Sequence, residues 1–171
     1  MIGELKVGQR VVHRRYGPGV VVRIREGKSD EEHDRYYVID IPSRELTLHL
    51  PATGPQPDLR GLSSPRRMSQ AMRILCGEPC ELPKDYRERQ AFVTEHMTDG
   101  VLLTLAEMIR DLSALHSTKR LSLVESNLLH AAKQRLAGEL AFVADIKLTE
   151  AVQRVDHALL SPAKAEPTAS A

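Results

Sequence analysis

The spacing of apolar residues changes at about Ser64, and this change limits the folds open to the chain more than any other feature. Before it, apolar residues are β-branched or alternate with polar ones in short runs, the pattern of strands. After it, they recur every three or four residues, as on one face of a helix. The sequence therefore predicts a β-rich unit followed by an all-helical unit.

Four short segments of the first part predict strands, at 7–13, 20–24, 35–41 and 45–50. Gly17-Pro18-Gly19-Val20 between two of them predicts a type II turn, because Pro fits its second position and Gly its third. Residues 51–62 are rich in Pro and Gly and predict a linker or a final edge strand. So few short strands bury too little as a flat sheet, and we expect a small SH3-like barrel.

The second part predicts a bundle of about five helices. Ser64 favours the start of the first, and a second is expected at about 84–97. A stripe of Leu, Met and Ile over 102–115 predicts the third, and Ser122 with Glu125 forms a capping-box pattern for the fourth. Thr149 is expected to cap the last. We thus expect an α+β chain with a barrel at 1–62, a helical domain at 63–160 and a disordered tail at 161–171.

No motif supports an enzyme, and no cofactor is expected. The chain has neither of the glycine-rich patterns that cradle nucleotide phosphates. Its carboxylates alternate with Lys and Arg, as on solvated helix faces. Cys76 and Cys80 have the spacing of half a zinc site, but no matching second pair of ligands follows, so no metal is expected either.

Charge and hydropathy limit the partners and the location. The formal net charge is only +1, so any contact with nucleic acid must be local. The opening residues have no secretory pattern and no apolar run approaches the length that spans a bilayer. We expect a cytoplasmic protein with no membrane contact.

Tyr86 is notable because aromatic residues are scarce: the chain has no Trp, two Phe and four Tyr. It lies among cations in the run Lys84-Asp85-Tyr86-Arg87-Glu88-Arg89 at the expected start of the second helix. An aromatic ring in this setting can wedge into a nucleic-acid groove. The alternative is that the ring packs between two helices.

Five segments, in order along the chain, carry a resemblance to a known family. They are Val7-Gly8-Gln9-Arg10-Val11-Val12-His13, Tyr16-Gly17-Pro18-Gly19, Tyr36-Tyr37, Glu45-Leu46-Thr47-Leu48-His49-Leu50-Pro51 and Gly138-Glu139-Leu140-Ala141. With them the chain resembles the CarD/CdnL group of bacterial transcription regulators, whose first domain is shared with the transcription-repair coupling factor. The resemblance extends over nearly the whole length.

The resemblance implies a Tudor-like barrel that docks on the β subunit of bacterial RNA polymerase. We expect the free protein to be a monomer. Docking in the family resembles strand addition. Carried over to this chain, it implies a nucleoid location through polymerase and the contact residues Arg23, Arg25, Thr47, Leu48, His49 and Leu50. Family members often have an arginine in place of His49.

The resemblance further implies that the helical domain touches promoter DNA at the upstream edge of the melted region. The family has an aromatic residue, usually Trp, where this chain has Tyr86, and it inserts into the minor groove. Lys84, Arg87, Arg89 and Lys133 are the expected phosphate contacts. The function expected is stabilisation of the open promoter complex with weak, largely sequence-independent DNA binding. The alternative is an adaptor that binds polymerase through the barrel without a functional DNA contact.

Overall fold

The structure is a computed structural model of the chain and describes residues 2–99 and 101–161. An antiparallel sheet of five strands is followed by five helices. The predicted fold class, a small β unit followed by a helical bundle, is confirmed. Residues 162–171, which make up nearly all of the predicted disordered tail, lie outside the described residues. None of the described helices is long and apolar enough to cross a membrane.

The sheet has β4 at one edge and β5 at the other, in the order β4-β3-β2-β1-β5. Its strands are β1 (Arg10–His13), β2 (Gly17–Glu26), β3 (Arg35–Ile41), β4 (Leu46–Pro51) and β5 (Leu59–Gly61), with a short 3-10 helix at Pro42–Arg44. The pairing of β2 with β3 shifts register between Val21 and Arg23, as at a β-bulge. One face encloses a core of Leu5, Val11, Val21, Tyr37, Ile39, Ile41 and Leu59.

The type II turn predicted at residues 17–20 is wrong. These residues begin β2 and pair with β1, with His13 opposite Gly17 and Val12 opposite Pro18. The chain reverses instead at residues 14–16. Gly19 is required for a different reason, because a Cβ there would lie 2.7 Å from the backbone oxygen of Asp40.

The helices are α1 (Pro65–Leu75), α2 (Tyr86–Asp99), α3 (Leu102–Thr118), α4 (Leu123–Ala144) and α5 (Leu148–Leu160). The predicted Ser64 cap and the capping box of Ser122 and Glu125 are confirmed. The second helix begins within two residues of its predicted start at about 84, whereas the predicted cap of the last helix is wrong. The second helix begins at Tyr86, because the Asp85 carboxylate accepts the first free backbone N–H groups. The last begins at Leu148, so Thr149 lies within it and is not its cap.

The bundle has its own apolar core, built from α1, α3, α4 and α5 with Val93 of α2. The longest helix, α4, also packs on β2 and on the 3-10 helix. Gly138 makes this approach possible, since a Cβ there would lie 2.8 Å from Cγ of Pro18. The sheet ends at Gly61 and α1 begins at Pro65, but the domain boundary at 62/63 stays a prediction.

Candidate nucleic-acid interface

Tyr86 is the first residue of α2, and its side chain is 40% exposed. Asp85 immediately before it caps the helix by accepting hydrogen bonds from the N–H groups of Arg87 and Glu88, at 2.9 and 3.0 Å. The ring is therefore presented at an ordered helix start. It is not sealed between helices, as the alternative interpretation required.

Arg89 does not face solvent, and its expected role as a phosphate contact needs correction. Only 5% of the residue is exposed, and its Nε donates to Glu125 of α4 at 2.5 Å. Its Nη1 donates to the backbone oxygens of Pro83 and Lys84. The guanidinium thus ties the segment before α2 to the start of α4.

The ion pair between Arg89 and Glu125 holds the start of α2, where Tyr86 lies, against the start of α4. Burial alone would raise the pKa of Glu125, but hydrogen bonds from Arg89 and from Ser122 hold it below its usual 4.5. The carboxylate is therefore ionised at neutral pH. The Arg89 guanidinium carbon lies 6.0 Å from the centre of the Tyr86 ring, at the limit of a cation–π contact.

Sequence reasoning missed two residues at the same end of the bundle. Leu123 and Val124 begin α4 and are large, apolar and exposed, Leu123 to 77%. They lie next to Ser122 and Glu125, which the Arg89 bond links to α2. An apolar helix start after a capping box was the available signal. We call Tyr86, Leu123 and Val124 the tip.

The remaining predicted phosphate contacts divide into two groups. Lys84 and Arg87 flank Tyr86 in sequence and are exposed. Lys133, in contrast, forms an ion pair with Asp156 of α5 at 3.0 Å. It lies eight residues beyond Glu125, about 12 Å further along the helix axis. The structure brings Lys84 and Arg87 to the tip, but not Lys133, because α4 carries it away.

The predicted docking segment forms an edge of the sheet. Thr47 and His49 of β4 are exposed, whereas Leu48 and Leu50 are half-buried against the core. Within the described residues only β3 pairs with β4, so its outer side is available for hydrogen bonding. We call residues 47–50 the docking edge.

The basic residues expected near the docking edge differ in their surroundings. Arg23 is exposed on β2. Arg25 and His49 line one shallow depression with Tyr36, and the Arg25 guanidinium lies 4.7 Å from that ring. Arg25 also pairs with Glu31 at 2.7 Å. The side-chain bonds from Arg25 and the backbone bond from Lys28 lower the pKa of Glu31 to about 2, so the charge of Arg25 is compensated.

A polar contact at the base of α4 joins the bundle to the sheet. Glu139 is 2% exposed and accepts two bonds from Arg60 of β5 at 2.8 Å, with a third from the Ser63 N–H. Burial alone would raise the pKa of Glu139, but Arg60 and Ser63 hold it below its usual 4.5. Gly138 and Glu139 belong to one of the five segments that carry the family resemblance. Their role in joining α4 to the sheet was not predicted from the sequence.

Arg135 reinforces the same junction one turn earlier in α4. Its guanidinium donates to the backbone oxygens of Met97 at 2.7 Å and Arg14 at 2.6 Å. Burial, together with the charges of Arg44 and Arg60, lowers its pKa to about 10, so it remains a cation at neutral pH. It therefore fastens the end of α2 and the β1–β2 turn to one helix.

Two further features of the described chain bear on chemistry. Cys76 and Cys80 are free thiols. Across residues 2–99 and 101–161, no three His, Cys, Asp or Glu side chains come together as a metal site would require. The described residues thus present two surfaces, the tip on the helical bundle and the docking edge on the sheet, and α4 packs between bundle and sheet.

Comparison with known proteins assigns the chain to a family. Residues 5–60 match the model of the CarD-like/TRCF RID domain, and residues 70–156 match the CarD C-terminal domain. The RID domain has a Tudor-like fold and is a polymerase-interacting domain in that family. The chain is also 24% identical over 142 residues to the Bacillus subtilis (strain 168) protein named "Putative transcription factor YdeB", covering 82% of this chain and 93% of that one. The chain therefore belongs to the CarD-like family of transcription factors.

Proposed function

We propose that this protein is a non-enzymatic regulator that docks on the RNA polymerase β subunit and stabilises the open promoter complex. The observation that carries the proposal is the exposed Tyr86 ring at the first position of α2. Arg89 and Asp85 fix the backbone beneath that ring. A rigid aromatic residue at a protein tip is suited to enter a nucleic-acid groove.

The wedge acts through the difference between two DNA states. A ring inserted at the upstream fork replaces base stacking that is lost on melting, so it binds the melted state better than the closed one. Tyr86 is smaller than the Trp usual in the family and has a hydroxyl that favours water. The wedge is accordingly modest, and its minor-groove contact reads little sequence.

Docking on polymerase compensates for the low DNA affinity of the tip. The outer side of β4 can accept a strand of the partner, with Thr47 and His49 presenting side chains beside it. Once the sheet is docked, the tip is confined near the promoter and its effective concentration rises. The two exposed cations Lys84 and Arg87 are then sufficient as phosphate contacts to keep the tip on the DNA at the fork.

An adaptor without a functional DNA contact is the second candidate. The burial of Arg89 and the pairing of Lys133 favour it, because they remove two of the four expected phosphate contacts. Under this reading the helical bundle is a scaffold, and the tip contacts no DNA.

The lifetime of the open complex on a weak promoter separates the two candidates. We expect Tyr86→Ala to shorten the lifetime gained with the wild-type protein by roughly five-fold or more, since stacking on one base contributes about 1–3 kcal/mol. Leu160→Ala is the matched control, because it truncates another exposed apolar side chain, on α5. Equal lifetimes for wild type and Tyr86→Ala would favour the adaptor.

A further inference from the structure

A polar groove runs along α2 from the tip toward the sheet. Arg87, Thr94 and Thr98 line it on α2, and Arg14 of the β1–β2 turn closes its far end. A second depression continues from Arg14, Thr94 and Thr98 to Arg15. Because the two share three residues, they form one path from the helical bundle onto the sheet. We call it the α2 track.

The track has unpaired cations at both ends. Arg87, Arg14 and Arg15 are exposed, and none of them belongs to an ion pair of the described residues. Arg14 donates through Nε to the backbone oxygen of Thr98 at 3.0 Å. That bond holds the side chain against α2 without an ion pair.

The turn that carries Arg14 and Arg15 is ordered by a buried histidine. His13 accepts at Nδ1 from the backbone N–H groups of Arg15 and Tyr16, at 3.1 and 3.3 Å. Burial lowers the pKa of His13, so its ring is the neutral form that can accept. The Arg15 guanidinium lies 5.7 Å from the Tyr16 ring. The cations are thus presented by a fixed turn.

Small side chains lie near the middle of the track. Ala91 and Thr94 face it from α2, and neither fills it with a long side chain. Two carboxylates, Glu95 of α2 and Asp58 near the turn, also line its walls. Arg135 also lines the second depression, so four cations outnumber two anions, and the three exposed cations lie toward the ends, where a linear anion would enter and leave.

We propose that the α2 track holds the sugar–phosphate backbone of promoter DNA beyond the tip, so that the sheet contributes Arg14 and Arg15 to DNA binding as well as docking on polymerase. The inference rests on the proposed function, because the DNA reaches the track from Tyr86. The 14 residues of α2 span about 21 Å, the length of about six base-pair steps. Side-chain and hydroxyl groups of this kind position a backbone without reading sequence.

The salt dependence of DNA binding by the full-length protein tests the track. Anisotropy of a labelled promoter-fork DNA, measured over a series of KCl concentrations, gives the log–log slope for each variant. Each lost phosphate contact should reduce the magnitude of the slope by about 0.9 for duplex. We therefore expect a loss of about 0.9 for Arg15→Gln and about 1.8 for Arg14→Gln/Arg15→Gln. Arg67→Gln, an exposed arginine on α1 outside the track, is the control.

Two more variants separate the effect of charge on DNA binding from the effect of a lost structural hydrogen bond. Arg14→Lys loses the Nε bond to Thr98 but keeps the cation, so its slope should match wild type. Glu95→Gln removes a carboxylate from the wall and should strengthen binding about two- to five-fold. A wild-type slope for both Arg15→Gln and the double variant would overturn the inference.

The outcomes distinguish this inference from the proposed function. If Tyr86→Ala weakens binding and Arg87→Gln lowers the slope while the Arg14 and Arg15 variants behave as wild type, only the track fails. If Tyr86→Ala and Arg87→Gln leave fork binding and open-complex lifetime unchanged, the proposed function fails, and the track with it. Loss of polymerase retention at an unchanged slope would assign Arg14 and Arg15 to a protein contact and overturn the track.

Discussion

Arg87 and Arg89 show how two identical side chains two positions apart acquire different roles. Arg87 is exposed beside Tyr86, whereas Arg89 lies on the buried side of α2, one turn before Val93. The local pattern of alternating charges predicts a solvated face for both. Sequence reasoning failed for Arg89 because its partner Glu125 is 36 positions away and no local signal links them.

The buried role of Arg89 predicts a large effect on stability. Arg89→Gln leaves the Glu125 carboxylate buried without its ionic partner and should lower the free energy of unfolding by about 3 kcal/mol. Arg87→Gln, on the exposed face, should change it by less than about 0.5 kcal/mol. Denaturant unfolding of both variants provides the measurement. Equal stabilities would show that Arg89 does not support the tip.

The order and kind of most elements follow from local patterns. Cap residues predicted the starts of α1 and α4, and β-branched runs predicted the strands. Failures came where long-range packing decides. Gly17-Pro18-Gly19 has the composition of a turn but lies in β2, because the strand must pass close to Asp40 and to α4. The alternation of Leu46, Leu48 and Leu50 with polar residues indicates one solvated face of β4, whereas its place at the edge of the sheet was implied only by the family resemblance.

The β4 edge carries the next prediction. His49→Glu and Thr47→Glu each place a carboxylate on the docking edge and should reduce retention of the protein by RNA polymerase in a pull-down. The fold should survive, because both side chains are exposed. Gln70→Glu on the exposed face of α1 makes the same charge change elsewhere and should be retained as wild type. Undiminished retention of both β4 variants would refute this edge as the docking site.

At the scale of the whole molecule, α4 joins the tip to the sheet that carries the docking edge. Its first turn holds Arg89 through Glu125, and its later turns hold the sheet through Glu139 and Gly138. These contacts join residues far apart in sequence, Arg60 and Glu139 being 79 positions apart. The five matched segments identified the family, but the contacts that join sheet and bundle depend on the folded chain and could not be predicted.

Gly138→Ala tests this coupling without altering either surface. Alanine favours a helix by about 1 kcal/mol over glycine, but its Cβ would lie 2.8 Å from Cγ of Pro18, and such overpacking costs about 1–3 kcal/mol. We expect a net loss of stability and a shorter open-complex lifetime. Gly61→Ala, whose Cβ would meet no atom within 4 Å, is the control. A wild-type lifetime for Gly138→Ala would show that the tip acts independently of the α4 junction.

The most direct measurement of the central claim is the fluorescence of 2-aminopurine placed in the melted bubble several bases downstream of the upstream fork, in promoter complexes with RNA polymerase. Wild-type protein should raise the fluorescence above the level of polymerase alone, because an inserted Tyr86 ring holds the bubble open and so keeps the probe base unstacked. Tyr86→Ala, retained equally well by polymerase, should leave the signal at the level of polymerase alone, and Tyr86→Trp should raise it above the wild-type level. A signal from Tyr86→Ala equal to that of the wild-type protein would contradict the account.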